Sequence, residues 1–95
     1  MNKTTFYSIM QREGGPRAVL HEGYTDGTFY YYRLNGTWCA IFPKVGLCIA
    51  NGSTRKECAE EAHKPENIRR ITAVMEQRGT ELEQRFKQLM QEAEQ

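Results

Sequence analysis

Ninety-five residues, 39 % of them hydrophobic and 26 % charged, are enough for one small domain with a modest core. Thirteen basic and twelve acidic residues give a net charge of +1, which argues against bulk electrostatic binding to nucleic acid or membranes but leaves room for a local patch. No apolar stretch approaches the roughly 18 residues of a membrane span, and the N-terminus lacks the apolar core of a signal peptide, so we expect a soluble, cytoplasmic protein without a membrane partner.

Residues 1–52 predict an antiparallel β-meander, because aromatic and β-branched residues alternate there between turn signals. The candidate strands are Thr4–Met10, Ala18–Tyr24, Thr28–Leu34, Thr37–Phe42 and Leu47–Ala50.

The dipeptide Asn35-Gly36 predicts a two-residue hairpin, since both residues readily adopt positive φ. This turn fixes the register, so that Tyr30 opposes Ile41 and Tyr32 opposes Cys39. The opposite face is the more apolar one and is the predicted core, with Phe29, Tyr31, Trp38, Ala40 and Phe42. The face of Tyr30, Tyr32 and Ile41 is less polar than a solvated face usually is, which suggests that something covers it.

The second half predicts two helices. Thr54 and Glu57 form a capping box that begins a short helix, and Pro65 suits the first turn of the next. Gly79 offers a stop, but the heptad register continues across it and favours one uninterrupted helix. We therefore predict an α+β fold: an antiparallel β-meander of four to five strands and a short helix in residues 1–64, then a long C-terminal helix in residues 65–95, all in one structural domain.

Apolar and small residues recur at heptad spacing along the long helix, the pattern of a coiled-coil seam. The seam consists of Ile68, Thr72, Met75, Gly79, Leu82, Phe86 and Leu89. An unbroken helix of this length spans about 45 Å and would extend beyond a body of some sixty residues, which predicts self-association as a homodimer. In the alternative interpretations, the helix packs on its own sheet or a different protein fills the seam.

A nucleic-acid-binding face is a second hypothesis. Tyrosines on the sheet could stack unpaired bases while nearby cations hold phosphates. The candidate residues are Tyr30, Tyr32, Ile41, Arg33, Arg55, Lys56, Arg69 and Arg70. Ordinary strand propensity also explains the tyrosines, and glutamates on the same helices dilute the positive charge.

The sequence contains no recognisable catalytic or cofactor-binding motif, so we expect neither enzyme activity nor a cofactor. Cys39, Cys48, Cys58 and His63 lack the close pairs typical of structural zinc sites, and small buried thiols explain the cysteines better than a metal site does.

Residues 38–62, WCAIFPKVGLCIANGSTRKECAEEA, resemble the strand–strand–helix segment of HicB-like antitoxins. The matching positions are Phe42-Pro43, Gly46, Gly52-Ser53-Thr54 and Glu57. Ser53 stands where that family usually has aspartate, and no recognisable DNA-binding module follows the helix.

The resemblance implies a small non-enzymatic protein that inhibits a macromolecular partner by occluding it. Anti-CRISPR and other phage-borne inhibitors are similar in size and character. We therefore expect a homodimeric module that binds a protein target, with nucleic-acid binding as the alternative.

Overall fold

The computed structural model describes residues 1–95 and confirms the predicted α+β class. Five antiparallel strands form one sheet in chain order, and two helices follow. The elements are β1 (Asn2–Arg12), β2 (Gly15–Thr25), β3 (Tyr30–Leu34), β4 (Thr37–Phe42), β5 (Leu47–Gly52), α1 (Arg55–Ala62) and α2 (Pro65–Ala93). Neither helix combines the length and the apolar character that crossing a bilayer requires.

The β3–β4 hairpin has the register predicted from its turn. Asn35 and Gly36 have φ values of 51° and 80°. Tyr30 pairs with Ile41 and Tyr32 with Cys39, as predicted. The assignment of side chains to the two faces of these strands is therefore confirmed.

The main core lies between one sheet face and α1. Phe29, Tyr31 and Ala40 are buried there against Cys58 and Ala62. Partly buried side chains surround them: Trp38, Phe42, Ile49, Ala50, Ala59 and Ile71. This is the face that the sequence predicted as the core.

The sheet curls sharply between β2 and β3. These strands share only two residue pairs, whereas β1 and β2 pair along their whole lengths. Gly23 lies near the point where β2 leaves β3, and a Cβ atom there would overlap the carbonyl group of Tyr31. Glycine is therefore required for this close approach of the two backbones.

The long β1–β2 hairpin packs over the other sheet face, which carries Tyr30, Tyr32 and Ile41. Phe6 stacks on Tyr30 with ring centroids 4.7 Å apart, and His21 stacks on Tyr32 at 3.9 Å. Phe6, Tyr32 and Ile41 form a second buried cluster. At the other side of the curl, the Ile9 amide donates to the Gly46 carbonyl at 2.8 Å, which brings β1 against the β4–β5 turn.

Local signals place both helices as predicted. Thr54 Oγ1 accepts a hydrogen bond from the Glu57 amide at 3.1 Å, and the Glu57 carboxylate accepts from the Ser53 amide at 3.2 Å. Pro65 lies in the first turn of α2. The second helix continues through Gly79 without a break, so the prediction of a single long helix is confirmed.

The long helix does not extend beyond the body as the sequence analysis expected. It contacts β1 and β2, and the ring of Phe86 lies against Gly46. At 29 residues α2 would be about 43 Å long if straight. The whole chain measures only 34 × 30 × 23 Å, so the helix crosses the body diagonally or curves around it.

Hydrogen bonds to the Asp26 carboxylate connect the β2–β3 turn to the end of α1. The carboxylate accepts hydrogen bonds from the Thr28 and Phe29 amides at 2.9 Å, from the Tyr31 hydroxyl at 2.5 Å, and from His63 Nε2 at 2.8 Å. Burial tends to raise the pKa of Asp26, but these four hydrogen bonds outweigh it and hold the pKa far below its usual value.

Candidate functional site

A groove runs along the outer edge of β5, where the sheet ends beside α2. Strand β5 pairs with β4 on its inner side only, and no strand follows it. The groove has an apolar half and a polar half, which share Cys48, Ile49 and Arg70.

The apolar half is a cavity of about 390 Å³, which is within the range of ligand-sized pockets. Nine of its ten lining residues are hydrophobic. Its walls come from the β4–β5 hairpin and from α2: Phe42, Val45, Leu47, Cys48, Ile49, Arg70, Ile71, Val74, Met75 and Leu82. Val74 remains 39 % exposed at this site, so α2 does not close the cavity.

The polar half has a volume of about 590 Å³ and continues along β5 towards α1. It is lined by Cys48, Ile49, Ala50, Asn51, Glu61, Lys64, Glu66, Asn67 and Arg70. Lys64 is paired with Glu61 at 2.6 Å, which neutralises both charges. This half therefore offers amide and carbonyl groups rather than a strong field of one sign.

Arg70 divides the two halves. Its guanidinium donates to the Ile49 carbonyl at 3.2 Å and also to the side chain of Asn67. Ile49 is the extra residue of a β-bulge, because Ala40 pairs with Ala50 whereas Ile41 pairs with Cys48. The bulge and the arginine together hold α2 beside the edge of the sheet without sealing the groove.

Two of the three sheet residues of the predicted binding face, Tyr32 and Ile41, are not accessible, and the prediction is wrong for them. Tyr32 is 7 % exposed and Ile41 is 1 % exposed, because the β1–β2 hairpin lies over them. Tyr30 is partly exposed, but its ring stacks on Phe6. Tyr32 and Ile41 belong to an internal cluster, and one face of the Tyr30 ring is occupied by Phe6.

The predicted phosphate-binding cations do not gather around these tyrosines. Arg33 pairs with Trp38 on the opposite face of the sheet. The others lie on the helices: Arg55 over the ring of Tyr24, Lys56 paired with Glu60 at 4.0 Å, Arg69 exposed, and Arg70 in the groove. Arg33 and Arg55 lie on the sheet face opposite to Tyr30 and Tyr32, so the site predicted from the sequence is not assembled.

The predicted helical seam also does not form one exposed surface. Three of its residues are buried within the chain: Gly79, Leu82 and Phe86. The others remain at least partly exposed: Ile68, Thr72, Met75 and Leu89. The seam is therefore not one continuous pairing surface, because its stretch from Gly79 to Phe86 packs within its own domain, which is the alternative interpretation of the pattern.

The interior contains one serine–histidine contact. Ser8 Oγ lies 2.7 Å from His21 Nε2. Burial, followed by the charge of Arg12, lowers the pKa of His21, so the ring is neutral at physiological pH. Ser8 is fully buried, and the hydrogen bond joins two polar side chains inside the second cluster.

The cysteines do not form a metal-binding group, and no three His, Cys, Asp or Glu side chains are arranged to hold an ion. Cys58 is fully buried, and burial raises the pKa of its thiol to about 12. Burial also raises the pKa of the Cys39 thiol. Cys48, by contrast, is exposed on the groove, and His63 is bound to Asp26.

Comparison of the chain with protein-family models, with curated proteins and with solved structures gave no match. What the groove binds must therefore be argued from its own geometry.

Proposed function

We propose that the protein is a non-catalytic binding module that holds an extended segment of a partner protein along the outer edge of β5. The observation that carries the proposal is the groove, in which an unpaired strand edge and an apolar cavity lie side by side. A segment held in this way is denied to its other partners, which is how an antitoxin-like or anti-defence inhibitor acts by occlusion.

Main-chain hydrogen bonds to the strand edge supply the part of the affinity that does not depend on the side chains of the bound segment. No strand is paired with the outer edge of β5, although β1 approaches its beginning at Gly46, and Arg70 donates to the carbonyl of Ile49. An extended segment that adds as a sixth strand would pair with the remaining backbone groups of this edge. Such β-strand addition needs no enzyme chemistry in the module.

The apolar cavity supplies selectivity. Leu47, Ile71 and Val74 line a space large enough for a bulky aliphatic or aromatic side chain. Burying such a side chain contributes about 1.5–3 kcal/mol. The preferred segment therefore carries one large apolar residue beside polar residues, since the remainder of the groove is polar and nearly neutral.

The test is a selection of extended peptides from a random library, followed by measurement of their affinities for two variants. V74E introduces a charge at the apolar half of the groove. I68E is its matched control, because Ile68 is an aliphatic residue of the same helix with nearly the same exposure, 38 % against 39 %. Selected peptides should lose at least tenfold in affinity for V74E and keep their affinity for I68E.

Cys48 provides an independent readout of where the peptide binds. It is exposed and lines both halves of the groove, whereas Cys58 is buried. In a C39S background, a bound peptide should slow the alkylation of Cys48. Unchanged alkylation, or binding that I68E rather than V74E abolishes, would refute the groove and return the site to the exposed part of the helical seam.

A further inference from the structure

A second surface of the protein combines aromatic rings with cations. Trp38, the only tryptophan, lies beside Tyr24 with ring centroids 6.1 Å apart. The guanidinium carbon of Arg55 is 4.2 Å from the Tyr24 centroid and 6.0 Å from that of Trp38. All three residues are partly exposed, so the cluster forms part of the surface.

Strand register and helix capping bring these residues together. Tyr24 and Trp38 lie on the sheet face that α1 covers, and Arg55 is the first residue of α1, placed by its cap at Thr54. The register adds two cations to the same face, because Lys3 pairs with Tyr24 and Arg33 with Trp38. We call these five residues the aromatic–cation patch: Lys3, Tyr24, Arg33, Trp38 and Arg55.

The cations of the patch have no partners within the chain. The salt bridges of the protein involve other residues, namely Lys56, His63, Lys64 and Arg78. The nearest carboxylates are those of Glu57, in the first turn of α1, and Glu22, on β2. Glu57 accepts a hydrogen bond from the Ser53 amide. Hydrogen bonds from Ser53 leave the Glu57 carboxylate ionised, so three cations face two carboxylates and the patch keeps a small positive surplus.

The rings also hold Arg55 in position. A guanidinium stacked over an aromatic ring keeps its N–H groups in its own plane free to donate. A polar cleft of about 540 Å³ continues from Tyr24 along β1 and β2, so the patch opens onto space for a chain that passes over it.

We propose that the aromatic–cation patch binds single-stranded nucleic acid. An unpaired base would stack at Trp38, and the guanidinium groups of Arg55 and Arg33 would hold the adjacent phosphates, with Lys3 in the cleft. Rings interleaved with cations are the chemistry by which proteins bind single strands without reading their sequence. An acidic peptide would use the cations but would gain little from the rings, so the rings favour nucleic acid.

The single tryptophan makes this proposal directly measurable. Titration with short oligothymidylate or oligouridylate should quench the fluorescence of Trp38. Three phosphate contacts predict a slope of about −2 in a plot of log affinity against log salt concentration. No quenching at low salt, or binding that is insensitive to salt, would overturn the proposal.

Four variants locate the binding, which is followed by the anisotropy of a dye-labelled oligonucleotide because W38F lacks the tryptophan reporter. R55A should weaken binding at least about fivefold, and W38F should weaken it less because phenylalanine still stacks. R69A is the matched control, since it removes the same charge from an exposed position on α2 outside the patch. Melting temperatures verify that each variant is folded, and R55K separates loss of charge from loss of the planar stack.

Two outcomes contradict the proposal. If R69A weakens binding as much as R55A does, the interaction is diffuse attraction rather than a site. If a polyglutamate peptide quenches Trp38 and displaces the oligonucleotide at equal concentration, the patch recognises acidic protein instead. V74E should leave oligonucleotide binding unchanged, so this test is independent of the proposed peptide groove.

Discussion

At the scale of single residues, Asp26 makes a testable contribution to stability. D26N keeps the size of the side chain but removes the charge that accepts hydrogen bonds from Tyr31 and His63. Hydrogen bonds to a charged group contribute about 1.5–3 kcal/mol each, and a partly compensated loss should lower the free energy of unfolding by about 1–3 kcal/mol near neutral pH. Urea unfolding of both proteins measures this difference.

The effect of D26N should depend on pH in one direction. The pKa of Asp26 is lower in the folded chain than in the unfolded chain, so the folded state binds fewer protons. The contribution of this residue is therefore fully present above about pH 4 and is lost as the pH falls below it. The wild-type and D26N proteins should differ less near pH 3 than near pH 7, and an equal difference at both would contradict this role.

The residue-scale features that the sequence predicted are local ones. The cap at Thr54 and the Asn35-Gly36 turn depend on neighbours within four residues, and both are confirmed. The bond from His63 to Asp26 spans 37 residues, and no local pattern indicates it. The patch of Tyr24, Trp38 and Arg55 depends on register across three strands and a helix, which the sequence did not fix beyond one hairpin.

At the scale of elements, the contact between the β4–β5 turn and α2 predicts a strong effect of G46A. Gly46 has a φ of 68°, and a Cβ atom there would overlap the ring of Phe86. The backbone strain costs about 1–2 kcal/mol, and the displaced ring adds about 1–3 kcal/mol. Hydrogen exchange along α2 should rise most around Phe86, since that contact holds the helix on the turn.

G36A is the control that separates displacement of the Phe86 ring from backbone strain. Gly36 also has a positive φ, 80°, but a Cβ atom there meets nothing within 4 Å. G36A should therefore show only the backbone cost and leave exchange along α2 unchanged. Equal losses of stability in G36A and G46A would mean that Phe86 does not hold α2 on the turn.

The heptad pattern identified the apolar side of α2 but not what covers it. Leu82 and Phe86 face the chain's own sheet, and Ile68 faces solvent, although all three belong to one stripe. The reason is that the sheet curls near Gly23, so that both strands of the β1–β2 hairpin contact the helix. Periodicity along one helix contains no information about a bend in a distant strand.

At the scale of the whole molecule, compactness removes the reason for expecting a homodimer. The radius of gyration is 13.1 Å, close to the value of about 12 Å for a compact chain of this length. The predicted overhang assumed that a body of some sixty residues could not accommodate a helix of about 43 Å. The curled sheet accommodates it by offering a surface on both β1 and β2.

We therefore predict a monomer in solution. Light scattering after size-exclusion chromatography should give the chain mass of 11.0 kDa, and small-angle scattering should give a radius of gyration near 13.1 Å. I68E tests the exposed end of the seam, because a charge at that position would separate paired helices without affecting the buried Leu82. A dimer mass that I68E converts to a monomer would show that two turns of seam suffice for pairing, and the homodimer predicted from the heptads would be restored.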